Sequence, residues 1–405
     1  MKLAEVIDSY VSGDWGNEEY SNESPNAVFC VRGADIVPIS NHSFNNIPQR
    51  YVSDRTIETK LLKEGDLVVE KSGGSPTQST GRVVYISKDL LENVGPVVCS
   101  NFCAAIRVKP EWNPLYVYYY WQNIYNRGVF FNFEGKTSGI KNLQMDNALS
   151  AIEIECLPLD KQNEIVDALS AIDSKIAINR QINDNLEAMA KQIYDYWFVQ
   201  FDFPNEEGKP YKSSGGEMVW NDKLKREIPE GWDTCTLENF LTIKNGRDHK
   251  HLADGMYPVY GSGGEMRRVT ECLYNGESVL MPRKGSLNNV MYVNEAFWTV
   301  DTMFYSEMKI CHCAKFIYYS IKDIDFTRLN SGTGVPSMTS STLYSIKIVK
   351  PNIDVLEKFD TMTTPLFAQM KQIAKLNANL TKQRDELLPL LMNGQVSVNY
   401  HLSHD

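Results

Sequence analysis

Several short runs of this sequence carry residue types that do chemistry elsewhere, and each can be tested against the spacing that chemistry needs. Gly135-Lys136-Thr137 has the ending of a phosphate-binding loop, but the glycine required five residues earlier is Phe130, so the nucleotide reading fails. Gly261-Ser262-Gly263-Gly264 follows no strand of a parallel unit and has no acidic ribose partner, so it reads as a turn. Cys311-His312-Cys313 points alternate side chains to opposite faces of an extended segment, with no second ligand pair at metal spacing. Glu153 and Glu155 share a strand face but lack the trailing lysine that metal-dependent nucleases use. Nor does the chain contain Asn-Pro-Pro-Tyr or Asp-Pro-Pro-Tyr to hold a target amino group, His-Glu-x-x-His, or Gly-x-Ser-x-Gly. No catalytic set and no metal site is expected.

The loops instead offer small and polar donors beside cations. In the first half these are Lys71, Ser72, Gly73, Gly74, Ser75, Thr77 and Gln78, then Lys136, Thr137, Ser138, Lys141 and Asn142. In the second half they are Arg247, Arg267, Arg268, Arg283, Lys284, Ser286, Asn288 and Asn289, then Thr333, Ser337, Thr339 and Ser340. Arg or Lys suits guanine, Asn or Gln suits adenine, and Ser or Thr suits either base or the phosphate backbone. The net charge of −10 excludes a chain coated in basic patches. It leaves room for local basic loops on an acidic scaffold, because only the docking face needs to be positive.

The elements that must position these loops occur twice. Leu67 to Val69 and Val83 to Ile86 read as strands around the loop Ser72 to Thr80; Val279 to Met281 and Val290 to Val293 flank the loop Arg283 to Asn289 in the same way. Leu3, Val6, Ile7 and Gly13 match Leu237, Phe240, Leu241 and Gly246, and Ser138-Gly139-Ile140 matches Thr333-Gly334-Val335. Tyr116 to Tyr125, with Trp121, reads as a buried helix. After each globular segment comes a long helical stretch. Aligning Leu186 with Leu380 superimposes two apolar seams of alternating four and three spacing: Ile165, Leu169, Ile172, Ile176, Asn179, Asn183, Leu186, Ala190, Ile193 and Trp197 against Phe359, Thr363, Leu366, Met370, Ile373, Asn377, Leu380, Arg384, Leu387 and Leu391.

Such seams predict that the two helices pair, and antiparallel pairing would set a globular domain at each end of a stalk. At ~1.5 Å per residue a helix of some 40 residues extends roughly 60 Å. Pairing is expected through Ile172, Ile176, Asn183, Leu186 and Ile193 with Leu366, Met370, Asn377, Leu380 and Leu387, each buried Leu or Ile contributing about 1.5–3 kcal/mol. Asn183 and Asn377 hold equivalent seam positions, where a polar residue costs stability but fixes register. Pro365, after Thr363 and Thr364, marks a restart or kink, and Pro389 an irregular last turn.

Length and composition agree with this organisation. A chain of 405 residues exceeds what one core organises. Charged residues at 23% and aromatics at 11% place it among ordinary globular proteins, and no apolar run is long enough to span a bilayer. The start, MKLAEVIDSY, lacks the apolar core of a secretory signal, and the eight scattered cysteines read as reduced thiols, so a cytoplasmic location is expected.

These residues resemble the specificity subunits of type I restriction-modification systems, over nearly the whole chain. "LPLDKQNEIVDALSAID" and "NDNLEAMAKQIYDYWFVQFDFP" are similar to that family's central helix and its exit, and "IPEGW" at Ile228 to Trp232 to the entry of its second target recognition domain. "VRGADI" from Val31, "GDLVVEKSGG" from Gly65 and "LLPLLMNGQV" from Leu387 add to the match. The resemblance implies an α+β fold: two similar mixed α/β target recognition domains, residues 1–156 and 228–350, joined by two long antiparallel helices, 157–203 and 351–396, that form a coiled-coil stalk, with a linker at 204–227 and a tail at 397–405. It implies that each domain reads one half of a bipartite double-stranded DNA site through the loops listed above. The helices would set the unread spacer and dock two methyltransferase (modification) subunits. S-adenosylmethionine belongs to those partners rather than to this chain, and restriction motor subunits join through the complex. Two other classes compete with this reading. One is a protein-only coiled-coil adaptor or decoy; the other, a self-sufficient methyltransferase or nuclease, needs catalytic motifs that the sequence lacks.

Overall fold

In a computed structural model of the chain, residues 1–75, 77–137, 140–329 and 336–397 are described. They fall into two compact units, Met1–Gln181 with Lys375–Asp405, and Ile182–Ala374. The boundary passes through both long helices.

The first unit is built on a sheet of β1 (Ile7–Ser12), β4 (Leu67–Glu70), β6 (Val83–Tyr85) and β8 (Cys103–Val108) in the order β1-β8-β4-β6, all neighbours antiparallel. Beside it, β2 (Asn26–Val31) pairs antiparallel with β3 (Gln49–Val52) and parallel with β7 (Val97–Cys99). A third, small sheet joins β5 (Ser72–Gly73), β9 (Glu134–Thr137) and β10 (Ile140–Leu143) in the order β5-β10-β9. The helix Pro114–Asn126 starts at the Asn113 side chain, which accepts from the backbone N–H groups of Leu115 and Tyr116. It buries Tyr116 and Trp121 against Leu3, Val6, Leu67 and Val83.

In the second unit β11 (Met218–Asn221) and β12 (Arg226–Pro229) form a hairpin, and β13 (Asp233–Thr236) pairs with β20 (Lys347–Lys350). The main sheet contains β14 (Leu241–Asn245), β15 (Asp254–Gly261), β16 (Gly264–Val269), β17 (Tyr274–Pro282), β18 (Met291–Thr299) and β19 (Met303–Met308), in the order β14-β19-β17-β18-β15-β16. The β14-β19-β17-β18 part repeats β1-β8-β4-β6, and the parallel pairing of β15 on β18 repeats that of β2 on β7.

The expected duplication is visible bond by bond. Leu3 N–H donates to the Ile152 carbonyl and Leu237 N–H to that of Ile346 (2.9 and 3.1 Å); Lys109 N–H donates to Val6 and Lys309 N–H to Phe240 (2.9 and 2.7 Å). The matched glycines have a shared cause. A Cβ on Gly13 would stand 1.9 Å from the Ser100 carbonyl oxygen, and one on Gly246 2.0 Å from that of Val300. Backbone must pass against backbone there, and only glycine permits it.

Both long helices are single elements: Leu159–Tyr194, continued by a π-helical turn over Asp195–Val199, and Ile353–Met392. The second runs through Pro365 and Pro389, so of the two expectations at Pro365, a restart or a kink, the restart does not occur. Thr363 and Thr364 donate their hydroxyls back to the Phe359 and Asp360 carbonyls in the turn before Pro365 (2.8 and 2.7 Å). In the first unit Asp173 meets Arg384 at 2.9 Å and Asn179 meets Asn377 at 2.7 Å, so the segments run antiparallel. In the second, Ala190 and Ile193 pack with Phe359 and Leu366 in one apolar cluster. Ile172, Ile176, Leu186 and Ile193 on one helix, and Leu366, Met370, Leu380 and Leu387 on the other, are buried or half-buried, as the seam requires.

The register device differs from the expected one. Asn179 Nδ2 donates to Asn377 Oδ1, and Asn377 Nδ2 to the Ile176 carbonyl at 3.4 Å, whereas Asn183 Oδ1 is buried without a partner among the described residues. Equivalent positions on two antiparallel helices face one another only at the dyad between them, and Asn183 and Asn377 lie off it. The register that matches Asn179 with Asn377 sets Asn183 against Ile373, which offers no donor.

Two stability measurements follow from this packing. In denaturant unfolding, Asn377→Leu lowers stability by about 1 kcal/mol by stranding Asn179, while Asn183→Leu leaves the midpoint unchanged or raises it. Gly246→Ala destabilises the second unit by about 1–3 kcal/mol, the cost of forcing a methyl group into packed backbone.

Candidate nucleic-acid interface

One short turn in each unit organises the polar loops. In the first unit the Phe102 carbonyl accepts from two successive N–H groups, those of Lys71 (2.8 Å) and Ser72 (3.1 Å). In the second the Thr302 carbonyl accepts from Arg283 (2.8 Å) and Lys284 (3.2 Å). Cys103 N–H closes the first turn onto Ser100, and Met303 N–H the second onto Val300, both at 2.9 Å. A further segment docks on each loop from the other side. Leu143 N–H donates to the Lys71 carbonyl at 2.7 Å, and Met338 N–H to the Arg283 carbonyl at 2.8 Å.

The loop groups chosen from sequence are thereby brought together within each unit. Asn142 lies opposite Ser72 and Lys141 opposite Gly73 across β10 and β5, and the Ser72 hydroxyl donates to Asn142 Oδ1. Ser337 lies opposite Lys284 in an isolated antiparallel bridge, and Gly285 N–H donates to the Pro336 carbonyl at 3.1 Å. At the tip of the first loop, Ser75 Oγ accepts from the N–H groups of Thr77 (3.3 Å) and Gln78 (3.1 Å), leaving both side chains exposed beyond Gly74. Lys136 and Thr137 belong to β9 by their backbone. Ser138 and Thr333 lie outside the described residues, as do Gly139, Gly334 and Val335 of the matched segments, whereas Ile140 begins β10.

Several of the chosen side chains are already engaged. Lys141 pairs with Glu134 at 3.0 Å, donates to the Gln78 carbonyl at 3.3 Å and lies 4.9 Å above the Phe131 ring. Arg267 donates to the Leu252 carbonyl at 2.6 Å and pairs with Asp254 at 3.2 Å. Arg268 pairs with Glu265 at 2.9 Å. Asn288 accepts from Phe326 N–H at 2.9 Å and donates to Asp325, whose carboxyl its hydrogen bonds, after that from Thr327, hold below the usual range. These residues brace the loops. Arg247, Lys284 and Ser286 are exposed, and neither cation has an ion pair among the described residues. Arg283 and Lys71 are half-buried, the Arg283 guanidinium lying 5.7 Å from the Phe304 ring centre.

The sequence reading passed over three contributors. The turn Gly261–Gly264 touches the loop, since Asn289 Nδ2 donates to the Ser262 carbonyl at 2.9 Å. Phe102 and Thr302 are the others, and the matched glycines upstream were the signal that pointed to them. Matched positions also differ in charge. Arg247 N–H donates to Thr299 as Asp14 N–H does to Cys99 (2.8 and 2.7 Å), so an acid in one unit stands where a base stands in the other. Asp14 is consumed by the Thr56 hydroxyl at 2.6 Å and Lys60 at 3.6 Å.

Burial pushes the thiols of Cys30 and Cys99 up to about 12 and that of Cys103 to about 11, so none is a thiolate nucleophile at neutral pH. Cys313 donates to the Ile310 carbonyl at 3.0 Å, and His312 faces Asp360 at 2.9 Å. Among the described residues no group of three His, Cys, Asp or Glu side chains converges, and no helix is long and apolar enough to cross a membrane.

The family model described as type I restriction modification DNA specificity domain matches the chain twice, over residues 4–188 and 229–377. The chain is 25% identical over 412 residues to the type I restriction enzyme MjaIX specificity subunit of Methanocaldococcus jannaschii, covering 90% of this chain and 88% of that one. It is 21% identical over 463 residues to the HindI specificity subunit of Haemophilus influenzae, covering 93% and 95%. In fold it is similar to the crystal structure of a type I restriction-modification S subunit from M. genitalium, with a TM-score of 0.55 at 16% identity over 96% of this chain and 95% of the other. With both halves matched by one family model and the same loop framework built twice, the chain belongs to the family of type I restriction-modification DNA specificity subunits.

Proposed function

We propose that each unit reads one half of a split double-stranded DNA site through the edge organised by its turn, at Phe102 or Thr302, and that the two continuous helices fix the unread gap. The observation that carries this reading is a common backbone framework presenting different side chains at matched positions: Lys71, Ser72 and Asn142 in one unit, Arg283, Lys284 and Ser337 in the other. A framework kept constant while its edge varies is what two readers of different sequences need.

The chain supplies recognition and its partners the chemistry. Methyltransferase subunits carrying S-adenosylmethionine dock on the helices' outward faces, two per chain, and restriction motor subunits join through them. Exposed apolar residues on those faces support this, among them Met189, Tyr196 and Met362 around one groove of the second unit. With a net charge of −10 and few unpaired cations at the loop edges, the isolated chain binds DNA weakly, and partners supply much of the phosphate contact.

Two experiments test this. With methyltransferase subunits bound, replacing both Arg247 and Lys284 by Ala flattens the slope of log affinity against log salt by about 2, roughly one per phosphate contact, whereas Arg267→Ala lowers the melting temperature of the second unit. An unchanged slope in the double variant rejects the second loop edge as a DNA contact. Mapping methylated bases genome-wide with and without this chain yields a split motif of constant gap; a continuous motif, or methylation independent of the chain, overturns the bipartite reading.

A further inference from the structure

The matched positions around the organising turn carry an asymmetry that residue types alone do not explain. Where the second unit presents Arg247, Lys284 and Thr302, the first presents Asp14, Ser72 and Phe102. Of these, Asp14 is paired with Lys60 and Ser72 is bonded to Asn142, so neither offers a charge or a spare hydroxyl proton at the edge. Phe102 is 58% exposed and belongs to neither of the first unit's two larger apolar clusters. Its backbone is held on both sides, by Cys103 N–H on Ser100 and by its own carbonyl on Lys71 and Ser72. The ring is thus an exposed apolar group on a fixed mount, its backbone bonded to the half-buried Lys71 and Ser72.

We infer that the first unit reads its half-site through an apolar contact between the Phe102 ring and the 5-methyl group of a thymine in the major groove, in place of the cationic contacts used by the second unit. This rests on the DNA-reading function proposed above. The chemistry fits because thymine alone among the bases offers a methyl group in that groove, and a phenyl ring is among the groups that recognise it. Duplex DNA is favoured over a protein partner because the backbone carbonyl of the same residue accepts from Lys71 and Ser72, so the side chain is carried by the turn that sets the proposed DNA-reading edge.

The test uses the chain assembled with its methyltransferase subunits and a duplex carrying its mapped target. Uracil, which lacks only the 5-methyl group, replaces thymine at each position in turn, in the wild type and in Phe102→Ala. One substitution lowers wild-type affinity about fourfold, the worth of burying one methyl-sized group, and has no further effect in Phe102→Ala. Phe102→Ala itself weakens binding about tenfold with an unchanged salt slope, and Phe102→Leu by less. Equal uracil sensitivity in wild type and Phe102→Ala, a target half with no sensitive thymine, or weakened assembly with the methyltransferase in place of weakened DNA binding would each overturn the inference. The Arg247 and Lys284 double variant is run in parallel. If it loses salt dependence while Phe102→Ala binds normally, only the thymine contact falls; if neither variant changes binding, the DNA-reading function falls with it.

Discussion

A single carbonyl in each unit, that of Phe102 or Thr302, collects two successive backbone N–H groups and so decides where the loop after β4 or β17 leaves the sheet. Everything variable at the edge hangs from that point. The loop's far side is held by Leu143 or Met338, and the turn itself by Ser100 or Val300. Because these bonds join main chain to main chain, side chains can change at Lys71, Ser72, Arg283 and Lys284 without moving the strand that carries them. The bulk of the fold serves this constraint. Gly13 and Gly246 clear the space in which a neighbouring strand passes the turn, and the buried Trp121 donates its Nε1–H to the Gly81 carbonyl at 2.7 Å, fixing the return limb of the first loop.

An acidic chain that contacts a polyanion has to ration its exposed cations. Several cations near the loops are spent on carboxylates: Lys141 on Glu134, Arg82 on the buried Glu70, Arg268 on Glu265. Each such pair rigidifies a loop at the cost of its electrostatic reach, since a neutralised pair attracts phosphate little beyond its immediate neighbours. The residual attraction is local, and recognition by a chain of this kind depends more on shape and hydrogen bonds than on overall field.

How far the sequence could be read depended on the range of the interaction concerned. The helical seam was legible because burial on a helix repeats every three or four residues, and Ile176, Leu186, Ala190 and Phe359 are buried where that period puts them. The duplicated strands were legible through Gly13 and Gly246, whose constraint is local backbone crowding. Which asparagine faces which was not, because facing is set by the dyad between antiparallel helices rather than by equivalence along the chain. For the same reason the bonds that Asn288 and Arg267 make within the unit could not be read from residue type. Their partners, Phe326 and Leu252, are brought close only by the fold.

The first unit is assembled from two separated pieces of chain, and its apolar cluster includes Leu388, Leu391 and Met392 beside Leu3, Val6, Ile165 and Leu169. During synthesis from the amino terminus, those last three side chains leave the ribosome after the whole of the second unit. Until then the older half of the molecule waits with an uncovered oily flank, although the younger half, made of one continuous stretch, already holds every segment it needs. The order of birth and the order of completion are therefore reversed. A message cut short near its end spares the later-made half and leaves the earlier one permanently unfinished.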